Sequence, residues 1–132
     1  SGRQLLNILG FKVGVFTDKK LLPGNKNDLE IYESWNEVFE NSNAIELLRI
    51  QKERLQDNEE LNFNEYINSY QLTKEVLSKS QSDLAVLHPM PINIGIEISK
   101  EAIEDSKIKY KDQLLHAIPS RVTAFKYVRD EI

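Results

Sequence analysis

Two short apolar runs frame this chain: Ala44 to Leu48 leads straight into Arg49, and Leu84 to Leu87 leads straight into His88-Pro89-Met90-Pro91. Apolar runs this short, bounded by polar segments, read as buried strands rather than helices. The helix-patterned stretch between them makes their connection a parallel crossover. Parallel strands bring their C-terminal ends to one edge of a sheet, which is where open α/β sheets receive ligands. A five-donor guanidinium, able to grip a carboxylate in a bidentate pair, would then share that edge with a proline-fixed turn.

The remaining pattern continues the alternation. Leu5, Leu6, Ile8 and Leu9 fall on one helical face, and Gly10 follows where a helix ends through a left-handed residue. Lys12 to Phe16 reads as a buried strand, the segment from Asp18 to Glu30 as a polar loop turning at Pro23-Gly24-Asn25, and Ile31 to Glu33 as a brief edge strand. Ser34 and Glu37 have capping-box spacing ahead of a short helix. Gln51 to Leu61 reads as a charged loop long enough to close over a ligand. Asn62 with Glu65 caps a helix carrying Phe63, Tyr66, Ile67 and Tyr70, and Thr73 to Lys79 forms another. From Ser99 the pattern is helical, with Leu114, Leu115, Ile118, Val122, Phe125 and Val128 on one apolar face interrupted by Pro119. Trp35, Phe39, Tyr66 and Tyr70 are expected in the core, and Glu46 either faces outward at the edge of the sheet or marks a surface paired with something else.

Composition excludes several function classes. With 40% hydrophobic and 29% charged residues in 132, the chain can bury the core of one soluble domain. A net charge of −4 gives no basic surface for nonspecific nucleic-acid binding. No apolar stretch reaches the roughly 20 residues that cross a bilayer, and no signal segment opens the sequence. The absence of cysteine suits a cytoplasmic protein. Two histidines without a paired acidic cluster argue against a metal site.

The string Leu47-Leu48-Arg49-Ile50-Gln51-Lys52-Glu53-Arg54, followed by His88-Pro89-Met90-Pro91, resembles the C-terminal, aspartate-binding domain of the aspartate carbamoyltransferase family. Gly10 to Phe16, Tyr70-Gln71-Leu72-Thr73 and Asn93 to Ile98 extend the resemblance over most of the chain, and Pro89 stands where the ornithine branch usually carries Cys. The resemblance implies a three-layer αβα open parallel sheet of Rossmann-like type, with residues 1–132 forming the L-aspartate-binding domain. The implied reaction transfers a carbamoyl group from carbamoyl phosphate to L-aspartate in de novo pyrimidine biosynthesis, without a cofactor. Arg49 would hold a carboxylate of L-aspartate, Gln51 would help bind the amino acid, and Glu53 would orient the arginine. The turn His88, Pro89, Met90, Pro91 would bind carbamoyl phosphate, its amino group donating to the carbonyls of Pro89 and Met90, with a cis bond before Pro91.

The same resemblance implies that a first strand, its basic loop and the carbamoyl-phosphate domain with a Ser-Thr-Arg-Thr loop have no counterpart here. The chain alone is then expected to be inactive and to need that domain or subunit as partner, in a homo-oligomer that is a trimer in the family. Ile94 stands where many relatives have Arg, which favours the alternative of an inactive binding or interaction module. Read without the resemblance, Arg49 also fits a plain strand end and His88 a packed polar residue in a Pro-x-Pro loop.

Overall fold

A computed structural model describes residues 2–22, 29–50 and 62–130. The local signals act as stop and start marks. Helix α1 (Gly2–Ile8) ends through Gly10, whose φ of 85° is the left-handed conformation that costs glycine nothing. Strand β1 (Gly14–Val15) pairs in parallel with β2 (Glu30–Ile31). Gly14 leaves room for the Tyr32 ring, which a Cβ there would push aside. Helix α2 (Trp35–Asn41) is capped by Ser34, whose hydroxyl accepts from the Glu37 amide at 3.2 Å, while the Glu37 carboxylate accepts from the Glu33 amide at 2.8 Å. Asn62 and Thr73 cap α3 (Phe63–Tyr70) and α4 (Lys74–Ser78) in the same way.

Strand β3 (Ala44–Glu46) and strand β4 (Ala85–Leu87) lie side by side in parallel, with Ala44 opposite Ala85 and Glu46 opposite Leu87. On its other side β4 is bonded to a turn-rich segment: the Val86 amide donates to Lys107 O and the Lys109 amide to Val86 O. Above and below these strands the side chains of Val38, Phe39, Leu47, Leu72, Leu77, Leu84, Val86, Ile98 and Ala102 form one buried cluster. Phe16 and Trp35 pack against it and Trp35 stacks on Phe39, so Trp35 and Phe39 belong to the core, as their helical spacing indicated. The Lys107 ammonium fastens the end of α4 by donating to Leu77 O, Ser80 O and Ser80 Oγ. Glu46 is exposed, the outward-facing position its charge called for.

The expected parallel α/β architecture is present, with two differences of detail and one of extent. Among the described residues the strands form two separate pairs rather than one continuous sheet. The C-terminal helix α5 (Tyr110–Asp130) starts at Tyr110, not near Ser99. Residues 99–109 commit their backbone to Leu72 and Val86 instead, through Ser99 N to Leu72 O and the Val86 bonds already described. Nor does Pro119 interrupt α5. A proline in a helix forfeits one ladder bond, here the one to Leu115 O, and the helix continues on both sides of it. The turn expected at Pro23-Gly24-Asn25 and the loop expected at 51–61 lie outside the described residues.

Candidate functional site

The parallel pairing of β3 and β4 brings two of the sequence motifs to one edge. The last paired residues are Glu46 and Leu87, and Leu47 N continues the ladder by donating to Leu87 O at 2.9 Å. Arg49 therefore follows three residues past the end of β3, and His88 one residue past the end of β4, at the same C-terminal edge. Arg49 is half-buried. Gln51, Glu53 and Arg54 lie outside the described residues.

The turn after β4 is held in an unusual shape. The Met90–Pro91 peptide bond is cis, and Met90 adopts a φ of 64°, a left-handed conformation uncommon for a residue with a side chain. Pro89, Met90 and Pro91 are exposed. Among the described residues no backbone amide donates a hydrogen bond to the carbonyls of Pro89 or Met90.

His88 itself is only 3% exposed, and both ring nitrogens are engaged. The Met90 amide donates to Nδ1 at 2.9 Å. A backbone N–H can only donate, so Nδ1 is the bare nitrogen of the ring and the proton resides on Nε2. That Nε2–H faces Glu97 Oε1 at 3.1 Å. Glu97 is 2% exposed, and the same oxygen accepts from the Asn93 amide at 2.6 Å. Gln113 of α5 completes the enclosure by accepting from the His88 amide at 3.1 Å. Glu97 Oε2 has no partner among the described residues.

A second, smaller apolar cluster stands beside this turn: Ile50 and Tyr66, with Leu21, Phe63, Tyr70 and Ile96 packed around them. Burial, then the negative charges of Glu97, Tyr70 and Asp18, push the Tyr66 phenol up from 10.0 to about 12. The folded chain thus keeps a proton that the unfolded chain loses near pH 10. Stability carried by that proton is intact below pH 10 and is lost as pH rises through about 12, a change on the order of 2 kcal/mol. Alkaline spectrophotometric titration should show one tyrosine ionising last, and Tyr66→Phe should delete that step; a titration unchanged by the substitution would place the late tyrosine elsewhere.

Sequence reasoning did not assign Glu97, Asn93 or Gln113 to the site. One signal was available: in Ile96-Glu97-Ile98 a carboxylate interrupts an apolar stretch, and a buried acid needs donors. Its partner nine residues earlier could not be read from spacing.

Comparison with known proteins supplies the wider setting. The family model "Aspartate/ornithine carbamoyltransferase, Asp/Orn binding domain" matches residues 5–128. The aspartate carbamoyltransferase catalytic subunit of Bartonella quintana is 33% identical over 127 residues, covering 95% of this chain and 40% of that protein. The corresponding subunit of Endomicrobium trichonymphae is 32% identical over 116 residues, covering 86% and 37%. Among solved structures, the catalytic subunit of M. jannaschii aspartate transcarbamoylase superposes with a TM-score of 0.67 at 25% identity, over 90% of this chain and 41% of that one. The Trypanosoma cruzi aspartate transcarbamoylase in complex with carbamoyl phosphate shares the fold, with a TM-score of 0.68 at 21% identity over 88% and 41%. The chain spans about two-fifths of the length of the curated relatives it matches.

Proposed function

Since the chain belongs to the aspartate/ornithine carbamoyltransferase family, matching its Asp/Orn binding domain, we propose that it is the L-aspartate-binding half of an aspartate carbamoyltransferase. The observation that carries this reading is the parallel register of β3 and β4, which delivers Arg49 and the His88–Pro91 turn to one sheet edge. Aspartate rather than ornithine is favoured by the curated relatives, whose names specify aspartate, and by Pro89 after the histidine.

In the proposed reaction Arg49 grips a carboxylate of L-aspartate, with Gln51 assisting and Glu53 orienting the guanidinium. The carbonyls of Pro89 and Met90 accept hydrogen bonds from the carbamoyl amino group. The amine nitrogen of aspartate attacks the carbamoyl carbon, the bond from that carbon to the phosphate oxygen breaks, and the amine proton is lost as N-carbamoyl-L-aspartate and phosphate form. Such a transfer gains mostly from holding two reactants in line and from stabilising charge on the departing phosphate. The phosphate pocket is proposed to come from the part of the relatives' length that this chain does not span, in a homo-oligomer and in the cytoplasmic route to pyrimidines. The alternative of an inactive binding module draws on Ile94, an apolar side chain 55% exposed beside the turn.

One experiment separates the two. Calorimetric titration with L-aspartate, or with a phosphonate analogue of the carbamoyl adduct, is expected to show binding that Arg49→Ala weakens by about 1.5 to 3 kcal/mol, the worth of a charged hydrogen bond. Arg54→Ala is expected to matter less. Equal losses from both, or no binding to the unaltered chain, would favour the inactive module. The 132-residue chain mixed with both substrates is expected to give no product above background, and turnover would overturn the assignment of the phosphate pocket to another segment.

A further inference from the structure

We propose that Glu97 is a positioning residue, which sets the His88 ring in a single tautomer and through it locks the turn that presents the Pro89 and Met90 carbonyls. The starting point is how firmly Glu97 is itself mounted. Its carbonyl accepts from the Leu72 amide at 3.0 Å, and the next amide but one, that of Ser99, donates back to Leu72 O at 3.1 Å. Leu72 and Ile98, 0% and 1% exposed, lie among the most deeply buried side chains of the main core. The carboxylate therefore projects from a fixed rung of the fold.

From that rung one oxygen reaches both ends of the turn. Glu97 Oε1 accepts directly from Asn93 N at 2.6 Å, downstream of the cis bond, and from His88 Nε2 at 3.1 Å, upstream of it. The imidazole passes the restraint on, because its Nδ1 accepts from Met90 N at 2.9 Å. Residues 90 to 93 are thus pinned at both termini to one carboxylate oxygen, directly at one end and through a ring at the other. The left-handed Met90 would be costly if nothing held it. Both amides are drawn inward to these acceptors, and among the described residues no backbone amide donates to the carbonyls of Pro89 and Met90.

The ring has no nitrogen left for a ligand. His88 is buried, its Nδ1 is occupied by the Met90 amide and its Nε2–H by Glu97. Its contribution is orientation, in the way a second carboxylate fixes the tautomer of an imidazole that must present one particular nitrogen. A buried carboxylate with one oxygen unpartnered among the described residues is a poor choice for stability alone, since an apolar residue of similar size would avoid the desolvation cost. Geometry is what it supplies.

The clamp is a statement about the turn; that the turn faces a carbamoyl group rests on the function proposed above, and the two are tested apart. Nitrogen-15 imidazole spectra of the full 132-residue chain are expected to show His88 as the Nε2–H tautomer, with Nδ1 hydrogen-bonded. Glu97→Leu is expected to release the ring into both tautomers and to speed Met90 amide exchange by roughly tenfold or more. Glu97→Gln keeps an acceptor oxygen and is expected to restore both readouts. A folded Glu97→Leu chain with an unaltered tautomer and unaltered Met90 exchange would overturn the clamp. Should that variant not fold, the unsubstituted chain decides: a proton on Nδ1 of His88 would overturn the proposal. Titration of the same samples with carbamoyl phosphate addresses the function alone, because a turn that is clamped yet binds none of it refutes the carbamoyl reading and leaves the clamp standing.

Discussion

Leu72→Ala is expected to remove about 2 to 5 kcal/mol of stability, the range for truncating a buried leucine, and so to leave a large share of the chain unfolded at room temperature. Leu72 is fully buried in the main cluster, which is small among the described residues. Many large apolar side chains lie outside it, among them Ile8, Leu9, Phe11, Leu115 and Phe125, each more than 60% exposed. A domain with so little burial belongs at the low end of the usual 5 to 15 kcal/mol, where one cavity consumes much of the margin. The loss would also reach the turn, because the Leu72 backbone holds the rung that carries Glu97. Urea unfolding should show the midpoint fall steeply for Leu72→Ala and hardly at all for Leu115→Ala, whose side chain is 73% exposed. Comparable shifts from both would mean that burial in the isolated chain does not set its stability.

The sequence disclosed most where the physics is local. Ser34, Asn62 and Thr73 cap helices because a side-chain oxygen within three residues of free amides has one favourable place to go, and Gly10 ends α1 for an equally local reason. The edge shared by Arg49 and His88 followed from one long-range rule, the parallel crossover, applied to two apolar runs. What escaped was decided by partners distant in sequence. Residues 99–109 carry a helix-compatible pattern, but Leu72 and Val86 take their backbone groups. Glu97 was visible as an acid among isoleucines, whereas its hold on His88 and Asn93 exists only after the turn has closed. Pro119 reads as a break by its own chemistry, yet the helix runs through it at the cost of one ladder bond.

The second large effect concerns α5. None of its 21 residues is buried, and every residue from 118 to 130 is exposed. Its polar tie to the site is Gln113, in the first turns. Leu114, Leu115, Ile118, Val122, Phe125 and Val128 are between 46% and 77% exposed, so the apolar face read from the sequence is real and is not covered by the described residues. A helix gains most of its stability from packing rather than from propensity, and contiguous apolar patches beyond a few hundred Å² mark surfaces that meet a partner. On the proposed function that partner is the remaining part of the enzyme; for the 132 residues by themselves the nearest substitute is a second copy. The chain is therefore expected to sediment above monomer mass in a concentration-dependent way, and Ile118→Asp combined with Phe125→Asp is expected to return it to a monomer whose urea midpoint no longer depends on concentration. A monomer at every concentration, or an oligomer indifferent to both charges, would show that this face is not what associates.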